Sequence, residues 1–142
     1  MISMYENILV PVDFSPGNSK ALETAIKLAP SKKGVITLFH VIESINDTDY
    51  MEIKDFYLKL EKKAHDELAR LAGLFSDSGV KIRLKTEIGE RAGSILKYAA
   101  ERKCDLIVMN SHRIKPDDGA AGWGTISYKV GILSQCPVML VK

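Results

Sequence analysis

Cysteine is nearly absent. The 142 residues hold two, Cys104 and Cys136, with no C-x-x-C or zinc-like spacing. That excludes a disulfide scaffold and a cysteine-built metal centre, and each thiol, beside apolar sequence, reads as a small buried hydrophobe kept reduced. Aromatic residues make up only 7%, with one tryptophan, Trp123. No apolar run approaches the ~18 residues that span a bilayer, and the opening MISMYENILVPVDF lacks the basic and apolar regions of a secretory leader. No membrane partner and a cytoplasmic location are therefore expected; in that compartment the sequon Asn46-Asp47-Thr48 is simply a polar loop. Excess charge of one sign is also missing. The 20 basic and 18 acidic residues leave a net charge of +2 at pH 7, which gives no electrostatic footprint for nucleic acid. What is there, 46% hydrophobic and 27% charged residues, suits one globular domain over residues 1–142 with a core of its own.

The hydrophobic pattern alternates between two periods. Ile8 to Val12, Val35 to Val41, Leu106 to Met109 and Val138 to Val141 are short apolar runs that read as strands buried on both faces. Val80, Ile82 and Leu84 alternate with Lys81, Arg83 and Lys85, the mark of a strand near a sheet edge. Between them lie helical spacings: Leu22 to Ala29, a long amphipathic stretch from Met51 to Phe75, Ala92 to Ala100, and Thr125 to Leu133. Ser15 followed by Pro16 is expected to cap the first helix. Pro11 cannot donate a ladder hydrogen bond, so pairing of the first strand is expected to stop there on one side. The order β-α-β-α-β-α-β-α-β implies an α/β fold, a doubly wound parallel sheet between two helical layers. Ligands of such sheets bind outside the carboxyl ends of the strands, which here means segments 11–16, 41–48, 88–91 and 109–125.

Two of those segments carry chemistry. Pro11-Val12-Asp13-Phe14-Ser15 places an acid at the end of the first strand. Asp13 can accept from a ribose hydroxyl or an adenine amine, or it can serve with Ser15 as a helix cap; the two roles are compatible. The second segment runs from Met109 through Asn110, Ser111, His112 and Arg113 to Gly119, Gly122, Gly124 and Thr125. Glycines before a helix N-terminus expose N–H groups suited to an anion, Thr125 can cap the helix or meet a phosphate oxygen, and Arg113 can pair with phosphate or sit on the surface. The loop is neither a Walker A nor a G-x-G-x-x-G motif. Trp123 covers a ligand, serves as a contact anchor for a partner, or packs on its own domain. His40, inside a strand, reads as a satisfied core or edge histidine, and His65, four residues after Glu61, as part of a solvated helix face. No nucleophile elbow or metal-ligand cluster emerges, and residues 86–91 lack the aspartate a phosphoacceptor domain needs.

Taken together, Ile8 to Asp13 with Ser15, the helix of Ala21, Leu22 and Ala25, Val35 to Val41, Cys104 to Met109, and Gly124-Thr125 through Cys136-Pro137 to Val141 resemble the universal stress protein family over nearly the whole chain. The resemblance implies a three-layer, five-stranded sheet of order 3-2-1-4-5, Rossmann-like and adenine nucleotide alpha hydrolase-like, and a homodimer paired through the last strand, Val138–Val141. Many members bind ATP through a G-x-x-G signature followed by a spacer and G-[ST]. Here Asn110 and Arg113 stand at the first two glycine positions, the spacer from Ile114 to Trp123 is one residue longer, and only Gly124-Thr125 is kept. Arg113 either blocks a triphosphate or supplies a new charge to it. The resemblance puts Asp13 on the adenine or ribose side, with Pro11 and Val12 beside it and Val41 near the base. Met109 and Asn110 line the site, and Gly124, Thr125 and Ile126 meet the phosphates; His112 and Gly122 are counted as binding candidates with them, the extra glycines Gly119 and Gly122 keeping an anion nest open. The expected ligand is ATP or another adenine nucleotide, with Mg if a triphosphate binds, and a protein partner remains to be found. The expected role is a non-catalytic stress-response regulator with an altered or lost nucleotide site. The alternative is a weak ATPase or phosphoryl-transfer enzyme in the same crevice, for which Asp117 and Asp118 are the only nearby metal candidates. An H-x-G-H motif of nucleotidyl transferases is absent.

Overall fold

Apolar runs without a polar face are satisfied only between two layers, and the sheet is built from them. The computed structural model describes residues 5–30, 33–44, 50–111 and 125–142. Its elements are β1 (Asn7–Pro11), α1 (Asn18–Leu28), β2 (Val35–Glu43), α2 (Tyr50–Gly73), β3 (Lys81–Gly89), α3 (Arg91–Glu101), β4 (Leu106–Asn110), α4 (Thr125–Leu133) and β5 (Val138–Val141). The five strands are parallel, in the order β3-β2-β1-β4-β5. This is the doubly wound arrangement the alternating periods imply.

Side-chain alternation along the strands divides the core in two. Ile8, Val10, Leu106 and Val108 face α1 and α2, where Leu22, Ala25, Leu68 and Leu71 meet them. Leu9, Phe39, Ile107 and Met109 face α3 and α4, against Ile95, Tyr98, Ala99 and Val130. Each fully buried Leu, Ile or Val side chain contributes about 1.5–3 kcal/mol. β3 lies at the edge, and its lysines and arginine point outward as the sequence suggests. β2 runs past Val41 to Glu43, because Ile42 is buried and in register with Ile88.

Two details position the site. Val12 N–H donates to the Phe39 carbonyl on β2 at 2.9 Å, so the Pro11 nitrogen, one residue earlier, faces β4. It has no hydrogen to give, and the β1–β4 register ends at Leu9↔Ile107, after one other pair, Ile8↔Leu106. At the opposite end the Asp105 carboxylate accepts from the Glu6 amide at 2.9 Å and the Asn7 amide at 3.2 Å, fixing where β1 begins beside β4. The expected cap of α1 needs correction. The residue before the helix is Gly17, without a side-chain cap, and Ser15 and Pro16 lie in the turn ahead of it. The Ser15 hydroxyl is engaged elsewhere.

Candidate functional site

Strand order reverses between β1 and β4, and the pairing of these strands ends at Leu9↔Ile107, short of their carboxyl ends. A side-chain network crosses this gap. Asn18, 2% exposed at the start of α1, accepts the Asp13 amide on Oδ1 at 3.2 Å and donates through Nδ2 to Asn110 Oδ1. Asn110 Nδ2 donates to the Ser15 hydroxyl at 3.1 Å. Asp13 closes its own turn by accepting the Ser15 amide at 3.0 Å. Gly17 leaves room for this arrangement, since a Cβ there would lie 3.0 Å from Asn110 Nδ2. Asn110 thus does with a side chain what a bare backbone position cannot. It ties the end of β4 to the β1–α1 turn.

Two adjoining spaces lie over the network, sharing Asp13, Asn110, Ile126 and Ser127 in their walls. One is a slot of about 80 Å³ walled mainly by Val12, Phe39, Val41, Ile95 and Met109, with Arg91 also on its wall. The other is a wider cavity of about 560 Å³ toward α1 and β5, where Ser15, Lys20, Ser111 and Lys142 face it. Asp13 stands at the junction. Burial pulls its carboxyl upward, but hydrogen bonds from the Ser15 hydroxyl and amide and from Asn18 outweigh burial and hold it below its ordinary 3.8. It is an anionic hydrogen-bond acceptor at neutral pH and a weak base.

His40, expected only as a satisfied strand residue, is half-buried, and Nδ1–H donates to the Val12 carbonyl at 2.8 Å. Its ring stacks on Phe14 with centroids 4.2 Å apart, and Phe14 adopts a left-handed φ of 65° to reach it. Burial, joined by the charge of Arg91, holds the imidazole below its usual 6.5 against the opposing pull of the Val12 bond and Asp13. The ring is therefore neutral at pH 7 and braces the turn that presents Asp13. His65 is exposed on α2, as expected. Burial pushes the Cys104 thiol up to about 11, in keeping with an unreactive core cysteine.

Of the residues singled out in the sequence, Pro11, Val12, Asp13, Ser15, Val41, Met109, Asn110 and Ile126 come together around these spaces. Thr125 is the first residue of α4. His112, Arg113, Gly122, Gly124, Trp123, Asp117, Asp118 and the sequon Asn46-Asp47-Thr48 lie outside the described residues. Sequence reasoning missed Asn18, Lys20, Phe39, Ile95, Ser127 and Lys142. Asn18 was detectable as a polar residue at the start of an apolar helical face; the lysines read as ordinary solvated positions. Among the described residues no group of three or more His, Cys, Asp or Glu is placed to hold a metal, and no helix is long and apolar enough to cross a membrane.

Residues 4–142 match the family model described as the Universal stress protein family. Universal stress protein YxiE of Bacillus subtilis is 29% identical over 161 aligned positions, spanning 98% of this chain and 100% of that one. The solved structure of MJ0577 from Methanocaldococcus jannaschii superimposes with a TM-score of 0.79 at 27% identity, covering 98% of this chain and 96% of that chain. The universal stress protein of Archaeoglobus fulgidus in complex with dAMP gives 0.70 at 19% identity, over 98% and 99% of the two chains, a likeness of fold.

Proposed function

Since the chain belongs to the universal stress protein family, we propose that it is a non-catalytic regulatory protein of the stress response, a single domain over residues 1–142 working in the cytoplasm, whose crevice takes an adenine nucleotide. The carrying observation is the junction at Asp13, where a slot walled mainly by apolar residues meets a wider cavity faced by serines and lysines, beside an ionised carboxylate. The base packs among Val12, Val41 and Met109, and the Asp13 carboxylate accepts from ribose hydroxyls. The dAMP complex of the Archaeoglobus fulgidus protein makes an adenine nucleotide the first ligand to test. Mg²⁺ would enter with a triphosphate, whose oxygens would carry it, Asp13 being the one acidic side chain among the described residues of these walls. Hydrolysis is disfavoured by the same residue, since a carboxyl held below its ordinary value is a poor base for water. Calorimetry with adenosine, AMP, ADP and ATP, with and without Mg²⁺, is expected to show saturable binding without turnover. Asp13→Ala is expected to weaken it about 10-fold, the value of a hydrogen bond to a charged group. Turnover that Asp13→Ala abolishes would establish the enzyme instead.

The same reading includes a homodimer paired through β5. Met139 and Leu140 of this edge strand are exposed, beside exposed Tyr128, Ile132 and Leu133 of α4, and an uncovered apolar edge invites strand pairing. Sedimentation equilibrium is expected to give twice the chain mass of 15.7 kDa, and Leu140→Asp the single-chain mass. A wild-type monomer at micromolar concentration would end this part of the proposal.

A further inference from the structure

We propose that Lys20 and Lys142 form a phosphate subsite at the α1–β5 end of the crevice, so that the site selects a nucleotide over its nucleoside. This rests on the adenine-nucleotide reading for the base and ribose, and adds the partner of the anion.

The two lysines are 122 positions apart in sequence and meet through the fold. Asn110 is in register with Val141, and the Ser111 amide donates to the Val141 carbonyl at 2.8 Å, which brings Lys142 to the rim beside β4. Lys142 Nζ donates to the Ser111 hydroxyl at 3.4 Å, and Lys20 Nζ to the main-chain carboxyl oxygen of Lys142, the last residue, at 3.3 Å, which leaves the pair of ammoniums in excess of that carboxyl. Both side chains line the 560 Å³ cavity together with the hydroxyl-bearing Ser15, Ser111 and Ser127. Four other cations, Lys27, Arg70, Arg91 and Lys97, pair with the carboxylates of Glu23, Glu67, Glu43 and Glu101. No side-chain carboxylate among the described residues forms an ion pair with Lys20 or Lys142. Asp13 is the one acidic side chain among the described residues of the cavity wall, and it stands at the far junction with the slot. The cavity also opens on the start of α1, which has no side-chain cap and no acidic residue in its first turn, so the helix dipole adds to the positive potential there.

The order slot, carboxylate, lysine pair therefore matches base, ribose, phosphate, the Arg91 on the slot wall being held by Glu43. Each exposed ammonium is worth about 2- to 5-fold in affinity at low salt, and the pair with the helix terminus about 10-fold. The lysines could alternatively do no more than hold β5 to α1, and the test separates the two roles. AMP and adenosine are titrated into wild type and into the double variant Lys20→Met, Lys142→Met, which keeps the aliphatic stems. The double variant Lys20→Arg, Lys142→Arg keeps the charges. The expected result is an AMP advantage over adenosine of about 10-fold in wild type that shrinks as salt rises. It disappears in the Met pair, persists in the Arg pair, and leaves adenosine affinity constant throughout. An AMP advantage that survives in the Met pair, or none in wild type, overturns the subsite while the adenine reading stands. If adenosine and AMP both fail to bind wild type, the adenine reading falls. Pyrophosphate then decides the subsite alone: saturable binding lost in the Met pair upholds it, and no saturable binding, or binding retained in that pair, overturns it.

Discussion

Phe39→Ala is expected to lower the unfolding free energy by about 3–5 kcal/mol, the range for deleting a buried aromatic ring. Phe39 is 1% exposed, in the central part of β2, and packs among Leu9, Ile95, Ile107 and Met109 on the α3–α4 side. Its ring stacks on Tyr98 with centroids 4.6 Å apart and planes inclined by 26°, and such pairs add about 0.5–1.5 kcal/mol beyond area burial. Domains of this size have about 5–15 kcal/mol in all, so a fifth or more of the stability rests on one side chain. The urea midpoint should fall with an unchanged m-value, and the melting temperature by on the order of 10–15 °C. Phe39→Leu should lose less than half as much. A loss below about 1 kcal/mol for the alanine variant would mean that the core collapses around the gap, contrary to the two-sided packing described. Phe39 also lines the apolar slot, so the surviving folded protein should accept a bulkier apolar group there.

Asn18→Ala is the second large effect. Its side chain is buried, and it satisfies the Asp13 amide on one side and Asn110 on the other. Alanine leaves both partners without their bonds, at a cost of about 1–3 kcal/mol for each poorly solvated group. The loss is offset only slightly by alanine's better helix propensity. The variant should be destabilised by about 2 kcal/mol, and its acid limb should change as well. A carboxyl whose folded-state value lies below 3.8 contributes stability that is present above 3.8 and lost as pH falls through the folded value. Asn18 is one source of that depression, after the Ser15 hydroxyl and amide. Without it the Asp13 contribution shrinks, and stability against pH should be flatter below about pH 4 than in wild type. Equal acid slopes in urea titrations of the two proteins would show that Asn18 does not act on Asp13.

The framework was legible because its signals are local. Leu106 to Met109 has no polar face and so had to be sandwiched, Val80 to Lys85 alternates and so had to lie at an edge, and Asp13 at the end of β1 marked the rim. What stayed hidden depends on partners far away in sequence. Ser15-Pro16 satisfies the local grammar of a helix start, yet the Ser15 hydroxyl receives Asn110, 95 residues later, and the helix opens at Asn18 instead. The Lys20–Lys142 meeting is of the same kind, since neither lysine interrupts an apolar pattern. His40 was read correctly as satisfied, but its stacking on Phe14 needs a positive φ that no bulky residue advertises.

Pro11 has an effect wider than the gap it opens. β2 and β3 match over Val35–Glu43 and β1 and β2 over Asn7–Pro11, whereas β1 and β4 are stitched only at Ile8 and Leu9. The sheet is thus two leaves, β3-β2-β1 and β4-β5, joined by a narrow seam that Asp105 clasps at its lower end. Anything lodged over the upper end touches both leaves at once, so its grip is also mortar: whatever it gains by bridging them is added to the cohesion of the native state.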